Sequence, residues 1–208
     1  MVKVQIIIPL YNMEKYISNT LDSLLNQTYI DIELICVNDG STDTSLEILE
    51  KYSKNDNRVK VFTKDNGGIA DARNFGLSKI TAPYFAFLDS DDTVEPNFIE
   101  VMLEKALETD SDVVFCDFWW TYSYKEKLQK DGPYQTKEDL LISMFATLWN
   151  KLYKTKWVKN SDIQFPKGYR YEDASFLYKI VPYINKWAYV DQPFIHYLQR
   201  EGSITHNH

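Results

Sequence analysis

The chain has 208 residues, of which 44% are hydrophobic and 15% aromatic. This is enough to bury one sizeable core, so we predict a single domain over residues 1–208. A formal net charge of -7 argues against a protein dedicated to nucleic-acid backbones. Cys36 and Cys116 lie in apolar runs, which favours buried thiols over a disulfide framework. No apolar run approaches the ~18 residues of a membrane span, so we expect a cytoplasmic location.

The first 118 residues alternate short strand-like runs with helical patterns, which predicts an α/β fold with a mostly parallel sheet flanked by helices. Strands are predicted at VQIIIP, IELICVND, VKVFTK, YFAFLD and DVVFCDF. Helices are predicted between them, at residues 14–27, LEILEKYSK, IADARNFGLSK and residues 97–107. Thr44 and Glu47 have the spacing of a capping box. After Trp119 the pattern is less regular, with helices predicted at residues 137–145 and after Glu172.

The ends of four predicted strands are polar, and they read PLYN, VNDGSTD, KDNGG and LDSDD in chain order. Ligands of open α/β sheets bind outside the carboxyl ends of the strands, so we expect the functional site there. The sequence has neither a Walker A motif nor a GxGxxG turn after the first strand, so a phosphate cradle of glycine amides is unsupported.

Three acids crowd the fourth strand end, FAFLDSDDT. Asp89 and Asp91 have the spacing to chelate Mg²⁺ or Mn²⁺, which take oxygen ligands and bridge to substrate phosphates. The alternative is a solvated turn, because Asp and Ser favour turns and helix caps. We assign Asp92 to this second role, as a cap for the segment after the turn.

Five motifs together resemble family 2 of the inverting glycosyltransferases, which has the GT-A fold. They are IIIPLYN, VNDGSTD, NGGIADARNFG, FLDSDD and EDASF, in the family's order and spacing. The resemblance runs from Val4 to about Thr205. It implies a GT-A fold in which residues 1–118 bind a nucleotide-sugar and residues 119–208 form a less regular acceptor-side half. Family members often continue into further carboxy-terminal helices, which this chain would lack.

The resemblance implies a pocket for the donor nucleotide. A carboxylate at Asp39 can accept the imide N–H of uracil while Pro9 and Tyr11 wall the base, although Asp39 could instead form an Asx turn and Tyr11 could be a core aromatic. Arg73 would contact the nucleotide or brace Asp89. The other expected donor contacts are Asn66, Gly68, with its neighbour Gly67, and Ser90.

The resemblance also assigns the acids a metal. Asp91 would be the direct ligand of Mn²⁺ or Mg²⁺, and Asp89 either a second ligand or a contact to the ribose or an arginine. The cation would neutralise the departing diphosphate. Arg200 and Ser203 occupy positions that close over the diphosphate in the family.

His196 and His206 are candidates for a further metal ligand, with an ordinary imidazole as the alternative for each. In YRYEDASF, the family's catalytic carboxylate corresponds to Asp173, which would take the proton of an acceptor hydroxyl as it attacks the anomeric carbon. The alternative for Glu172 and Asp173 is stabilisation of a helix N-terminus.

A basic and aromatic segment, TLWNKLYKTKWVKN, matches an acceptor-side element of the family. Trp149 or Trp157 could stack on a sugar, and the lysines could meet a lipid-linked diphosphate or the anionic inner face of a membrane. The alternative is a solvated helix face that packs through its aromatic residues. The residues concerned are Lys151, Tyr153, Lys154, Lys156 and Lys159.

The sequence therefore predicts a metal-dependent inverting glycosyltransferase that moves a sugar from a nucleotide-sugar, with UDP-sugar favoured, to a hydroxyl of a glycan or lipid-linked saccharide. One alternative is a non-catalytic nucleotide-sugar-binding module. Another is a haloacid dehalogenase-like phosphatase with Asp89 as nucleophile, because DSDDT matches that family's DxDx[TV] signature.

Overall fold

The computed structural model describes residues 3–159 and 163–200, and within them the chain forms nine strands and seven α-helices. The strands are β1 (Val4–Leu10), β2 (Ile32–Asn38), β3 (Val59–Thr63), β4 (Tyr84–Phe87), β5 (Thr93–Val94), β6 (Val113–Thr121), β7 (Glu126–Gln129), β8 (Lys151–Lys154) and β9 (Trp187–Leu198). The helices are α1 (Ile17–Leu25), α2 (Ser45–Asn55), α3 (Ile69–Lys79), α4 (Phe98–Thr109), α5 (Lys137–Ser143), α6 (Thr155–Lys159) and α7 (Glu172–Ile180).

All nine strands form one mixed sheet in the order β3-β2-β1-β4-β8-β6-β9-β5, with β7 added beside β6. The neighbours β3, β2, β1 and β4 are parallel, and so are β6 and β9. β8 is antiparallel to both β4 and β6, and β5 and β7 are antiparallel to their partners. The α/β prediction is confirmed, and the parallel part of the sheet is the predicted one.

The sheet is buried on both faces, which explains why its central strands are continuous apolar runs. Every residue of β1 is buried, with Ile6 and Ile8 directed to one core and Ile7 to the other. Helices α1, α2 and α4 cover the first face, and α3, α5 and α7 cover the second. On the second face α3 lies very close to β1, since a Cβ at Gly76 would stand 2.5 Å from Ile7 Cγ2.

The capping box is wrong in its side-chain detail. Helix α2 does begin after Thr44, but that hydroxyl makes no cap hydrogen bond and donates to Glu14 Oε2 at 2.7 Å. The first-turn N–H of Ser45 is instead satisfied by Asp43 Oδ1 at 3.0 Å. The acceptor is therefore one position earlier than the motif predicts.

The segment TLWNKLYKTKWVKN is not a helix over its length, because Lys151–Lys154 forms β8 in the middle of the sheet. β8 is antiparallel to β4 and pairs Lys154 with Tyr84, the first residue of β4, so the chain runs towards the amino edge. Lys151 is fully buried, and Lys154 pairs with Asp110 at 2.6 Å. The burial of Lys151 excludes its contact with a lipid-linked diphosphate or a bilayer, and Lys154 is engaged by Asp110 in the structure.

Helix α6 follows at that same amino edge and carries Lys156, which is exposed. The side chains of Trp157 and Lys159 lie outside the described part of the structure. None of the helices in the described residues combines the length and the apolar character needed to cross a bilayer.

Candidate active site

The polar strand ends meet at the carboxyl edge of the sheet. β1 and β2 lie side by side up to the pair Leu10 and Asn38, and the N–H of Asp39 then donates to the carbonyl of Leu10 at 2.9 Å. The N–H of Lys64 donates to the carbonyl of Asn38 at 3.1 Å, which adds the end of β3. β4 pairs with the other side of β1. The edge thus forms one continuous polar rim.

Asp39 organises the loop that precedes α3. Its buried carboxylate accepts the N–H of Gly67 at 3.0 Å and that of Gly68 at 2.8 Å, and it pairs with Lys64 at 2.6 Å. Gly68 adopts φ +84° where α3 begins, a conformation that favours glycine. The Asn66 side chain donates to the backbone carbonyl of Asp39 at 2.9 Å.

The sequence analysis did not predict Lys64 as a site residue, although the segment TKDNGG places it directly before this loop. The Asx-turn alternative fits the preceding residue better, since Asn38 Oδ1 accepts the N–H of Ser41 at 3.1 Å. Pro9 is buried within β1 opposite Val37. Tyr11 is 45% exposed just beyond β1, which excludes the core-aromatic alternative and leaves its ring open to a ligand.

The three acids of the DSDD turn lie in three different environments. Asp89 accepts from Arg73 at 2.9 Å, and Asp91 accepts from Arg200 Nε at 2.7 Å. Burial raises the pKa of Asp91, with a further rise from the negative charge of Asp89 that Arg200 opposes. Ser90 between them is buried, and its carbonyl accepts the Thr20 hydroxyl at 3.0 Å.

The predicted role of Asp92 as a cap is wrong, because its side chain caps no helix. It is fully buried, and Oδ1 accepts the N–H of Leu198 at 2.8 Å, whereas α4 begins only at Phe98. Its Oδ2 has no hydrogen-bond partner among the described residues. Burial and the neighbouring acids raise the pKa of Asp92 well above its usual range. The side chain therefore fastens the end of β9 beneath the acidic turn.

Arg73 connects the acidic turn with α7. The guanidinium is buried, and it donates to Asp89 through one terminal nitrogen and to Glu172 through the other. Burial would lower the pKa of Arg73, but Asp89 and Glu172 outweigh that effect and raise it. The expected brace between Arg73 and Asp89 is present, and Glu172 serves this ion pair rather than capping α7.

Asp173 lies in the first turn of α7 and accepts the N–H of Ala174 at 2.8 Å. Burial raises the pKa of Asp173, and the charges of Glu172 and Asp89 add to the rise while Arg73 opposes it. A carboxylate with a raised pKa is a better proton acceptor at neutral pH, as general-base chemistry requires.

The remaining candidates either have contacts in the structure or lie outside the described residues. Arg200 places its guanidinium 4.8 Å from the centre of the Tyr16 ring while it pairs with Asp91. His196 uses one ring nitrogen on Glu95 and the other on Glu126, each at 2.9 Å, rather than on Asp89 or Asp91. Ser203 and His206 belong to the part that is not described.

Trp149 does not offer a ring for sugar stacking. It is 3% exposed and packs edge-on against Phe118, with ring centres 4.7 Å apart, and against Tyr197 at 4.9 Å. The packing alternative is the correct one for this residue.

The donor set of the turn suits a hard divalent cation. Asp89 and Asp91 supply oxygen ligands one residue apart, and a cation would offset the burial and the neighbouring charge of Asp89 that raise the pKa of Asp91. Among residues 3–159 and 163–200, no cluster of three or more His, Cys, Asp or Glu side chains is arranged to hold a metal. Such an ion would need further ligands from a substrate, and diphosphate oxygens fit that need.

A sequence model of glycosyl transferase family 2 matches residues 5–161. The chain belongs to this family. The putative glycosyltransferase EpsH of Bacillus subtilis is 35% identical over 215 residues, covering 97% of this chain and 62% of EpsH. Glycosyltransferase GlyA of Streptococcus pneumoniae is 32% identical over 221 residues, covering 98% of this chain and 31% of GlyA. Chondroitin synthase of Pasteurella multocida is 46% identical over 152 residues, covering 69% of this chain and 15% of the synthase.

Solved structures confirm the GT-A fold. TarS 1-349 of S. aureus in complex with UDP-GlcNAc superposes with a TM-score of 0.83 at 30% identity, covering 96% of this chain and 59% of that one. The same protein in complex with UDP gives a TM-score of 0.79 at 28% identity, covering 95% of this chain and 60% of TarS 1-349. The chain thus spans less than two thirds of these relatives. The family match also explains the DSDDT motif without the phosphatase alternative.

Proposed function

We propose that the chain is a metal-dependent inverting glycosyltransferase that transfers a sugar from a UDP-sugar to a hydroxyl of an acceptor glycan. The observation that carries this proposal is the buried Arg73, which joins Asp89 of the acidic turn to Glu172, the neighbour of Asp173. One guanidinium thereby holds together the side that would meet the donor phosphates and the side that would meet the acceptor hydroxyl.

The donor would bind along the carboxyl edge. Asp39 would receive the uracil imide N–H, Tyr11 and Pro9 would wall the base, and Asn66 and Gly68 would shape the loop beside it. This assignment is supported by the UDP-GlcNAc complex of the similar TarS structure. Asp39 already accepts two backbone N–H groups and a lysine, but a carboxylate offers about four acceptor positions, so one remains for the base.

Mn²⁺ or Mg²⁺, when bound, would supply Lewis-acid stabilisation of the departing diphosphate. Asp91 and Asp89 would hold it, with Ser90 beside the diphosphate. Arg200, which now pairs with Asp91, would give up that carboxylate and present its guanidinium fork to phosphate oxygens, together with Ser203.

Asp173 would act as the general base. Its carboxylate would accept the proton of the acceptor hydroxyl while that oxygen forms a bond to the anomeric carbon and the bond to the UDP oxygen breaks. One displacement from the opposite face inverts the anomeric centre. The raised pKa of Asp173 supports this role, because the group is a stronger proton acceptor than an ordinary aspartate.

The acceptor would be a glycan or a lipid-linked saccharide, reached in the cytoplasm or at the inner face of the membrane. A second candidate is a nucleotide-sugar-binding module that needs another chain for catalysis.

Calorimetric titration of UDP with and without Mn²⁺ tests the proposal. We expect Mn²⁺ to tighten UDP binding, and Asp91→Ala to lose that gain while keeping its fold. Asp191→Ala is the control, because Asp191 is a 66% exposed carboxylate on β9 whose contacts include Lys130 and Tyr189. Full-strength UDP binding without metal would refute the metal assignment, and UDP binding without transfer of any sugar would favour the binding module.

A further inference from the structure

A short loop, residues 167–171 (KGYRY), directly precedes Glu172 and Asp173 and has no role in the function proposed above. Both of its ends are fixed. Before it, the Phe165 backbone exchanges hydrogen bonds of 2.8 and 3.0 Å with the Asn74 side chain, and Lys167 forms an ion pair with Asp71 at the start of α3. After it, Glu172 is held by Arg73. The loop therefore bridges the donor-side helix α3 and the helix that carries Asp173.

Between these anchors the loop exposes two aromatic rings. Tyr169 is 73% exposed and Tyr171 is 71% exposed, and they rank among the most exposed large side chains of the described residues. These two rings do not contribute to the hydrophobic core. The neighbouring Phe165 does, since it is 2% exposed and stacks on Phe176 with ring centres 4.1 Å apart. Exposed aromatic rings on a fixed loop are typical of binding surfaces.

Tyr171 also has a strained backbone. Its φ of 62° and ψ of 40° are left-handed, a conformation that costs free energy for a residue with a Cβ and that glycine would adopt without strain. Such strain is concentrated at functional sites, where another requirement keeps the residue. Here the residue adjoins Glu172 and lies two positions before Asp173.

The charge of this region is opposite to that of the whole chain. Residues 163–171 contain Lys167 and Arg170 and no acid, in a chain of net charge -7. Lys167 is neutralised by Asp71, but Arg170 is exposed and pairs with no acid in the part of the chain that the structure describes. An unpaired guanidinium between two exposed rings matches a saccharide that carries an anionic group.

We propose that residues 169–171 form part of the acceptor site and select an acceptor whose saccharide or polyol units carry carboxylate or phosphate groups. Tyr169 and Tyr171 contact the apolar faces of the units, and Arg170 pairs with the anionic group. This inference rests on the proposed function, because it treats Asp173 as the group that meets the acceptor hydroxyl.

Binding of three oligomers of similar length tests the proposal, measured by calorimetry with and without UDP and Mn²⁺. The neutral probe is a maltooligosaccharide, the carboxylate probe alternates glucuronic acid with N-acetylglucosamine, and the phosphate probe is a glycerol phosphate oligomer. We expect at least one anionic probe to bind about tenfold more tightly than the neutral probe. The preference should shrink as salt is raised, since Arg170 is exposed. The anion that binds identifies which group the acceptor carries.

Three variants separate charge from stacking. Arg170→Gln should bring the anionic probes to within about twofold of the neutral one, and Arg170→Lys should keep part of the preference. Tyr169→Ala should weaken all bound probes by a similar factor, because ring stacking ignores the charge. The matched controls lie at the amino edge. Lys186→Gln removes an exposed cation that pairs with Asp110 and whose backbone N–H donates to Asp112 before β6, and Tyr183→Ala removes an exposed ring shortly before Lys186 in the chain.

The proposal is overturned if neither anionic probe binds more tightly than the neutral probe, or if the preference persists in Arg170→Gln. UDP binding to each variant is measured alongside. If the wild-type chain binds no UDP, the proposed function fails, whereas an anion preference that depends on Arg170 would still stand.

Discussion

Two clusters of charged side chains, one built around Lys151 of β8 and one at the carboxyl edge of the sheet, differ in how their charges are balanced. In the interior, the ammonium of Lys151 lies within 3.0 Å of the Asp131 carboxylate, the Asn150 side chain and the carbonyls of Phe145 and Thr147. At the carboxyl edge, five acids share two cations. These acids are Asp89, Asp91, Asp92, Glu172 and Asp173, and the cations are Arg73 and Arg200.

The difference separates charges that hold the fold together from charges available to a ligand. Asp131 accepts from Tyr134, Phe145 N–H, Asn150 and Lys151, so the interior cluster is neutral and fully bonded. At the edge, Asp92 keeps an oxygen without a hydrogen bond, and burial raises the pKa values of Asp91, Asp92 and Asp173. Perturbed acids without enough cations are typical of functional sites.

The largest predicted effect is on stability, at the interior cluster. Asp131→Ala leaves the Lys151 ammonium buried without its counter-ion, so we expect a loss of about 3–5 kcal/mol in the free energy of unfolding. Urea unfolding followed by circular dichroism measures it. Asp191→Ala is the control, because that surface carboxylate is 66% exposed and its loss should change little. A near-neutral Asp131→Ala would contradict the structural role of the cluster.

The next effect is on catalysis, at the edge. Asp173→Asn removes the proposed base and should lower kcat by about 10²- to 10⁴-fold while UDP binding is kept. Because the raised pKa of Asp173 makes its charge a cost to the folded state at neutral pH, the variant should be no less stable than the wild type. In the wild type, kcat should rise with pH through a pKa above the ordinary value of 3.8.

An unchanged kcat in Asp173→Asn would remove Asp173 as the base. A fall in both stability and UDP binding would show instead that this carboxylate belongs with the interior cluster as a structural group. The Asp131 variant thus tests whether the interior cluster is structural, and the Asp173 variant tests whether the edge cluster is catalytic.

The sequence predicted the edge better than the interior, for a physical reason. Strands β1, β2, β3 and β4 end in polar turns and β6 begins as an apolar run, so the local pattern marked both the fold and the positions of Asp39 and Asp89. The role of Arg73 was also anticipated, since the brace to Asp89 was one of two alternatives. These features depend on residues close in sequence or on a motif of fixed order.

The interior cluster depends on tertiary contacts that no local sequence pattern predicts. Lys151 follows Asn150 in a basic, aromatic segment that was interpreted as an acceptor-side element or a solvated helix face, yet its partner Asp131 lies 20 residues earlier. The antiparallel β8 between β4 and β6 is a tertiary arrangement, and short strands such as β5 and β7 carry little periodicity. Asp92 was misassigned for the same reason, because its partner is the backbone of Leu198, 106 residues later.

The smallest predicted effect is on stability, at a third charged group. His196 of β9 contacts Glu95 and Glu126, and Glu126 belongs to β7. Burial would lower the pKa of His196, but the hydrogen bonds that its ring donates to Glu95 and Glu126 raise it, and His196 in turn lowers the pKa of Glu126. The two glutamates are 42% and 44% exposed, so water screens both pairs and the contribution should stay below about 1 kcal/mol.

The sign of the pH dependence is set by these two shifts. A histidine with a raised folded pKa stabilises fully below its ordinary value of 6.5 and loses that contribution as the pH rises through the folded pKa. The lowered pKa of Glu126 supplies the acid limit, because that contribution is lost as the pH falls below the ordinary value of 4.5. The unfolding free energy of His196→Gln should therefore match the wild type at alkaline pH and fall below it between these limits. Equal pH profiles of the two proteins would show that the pairs of His196 with Glu95 and Glu126 contribute nothing measurable to stability.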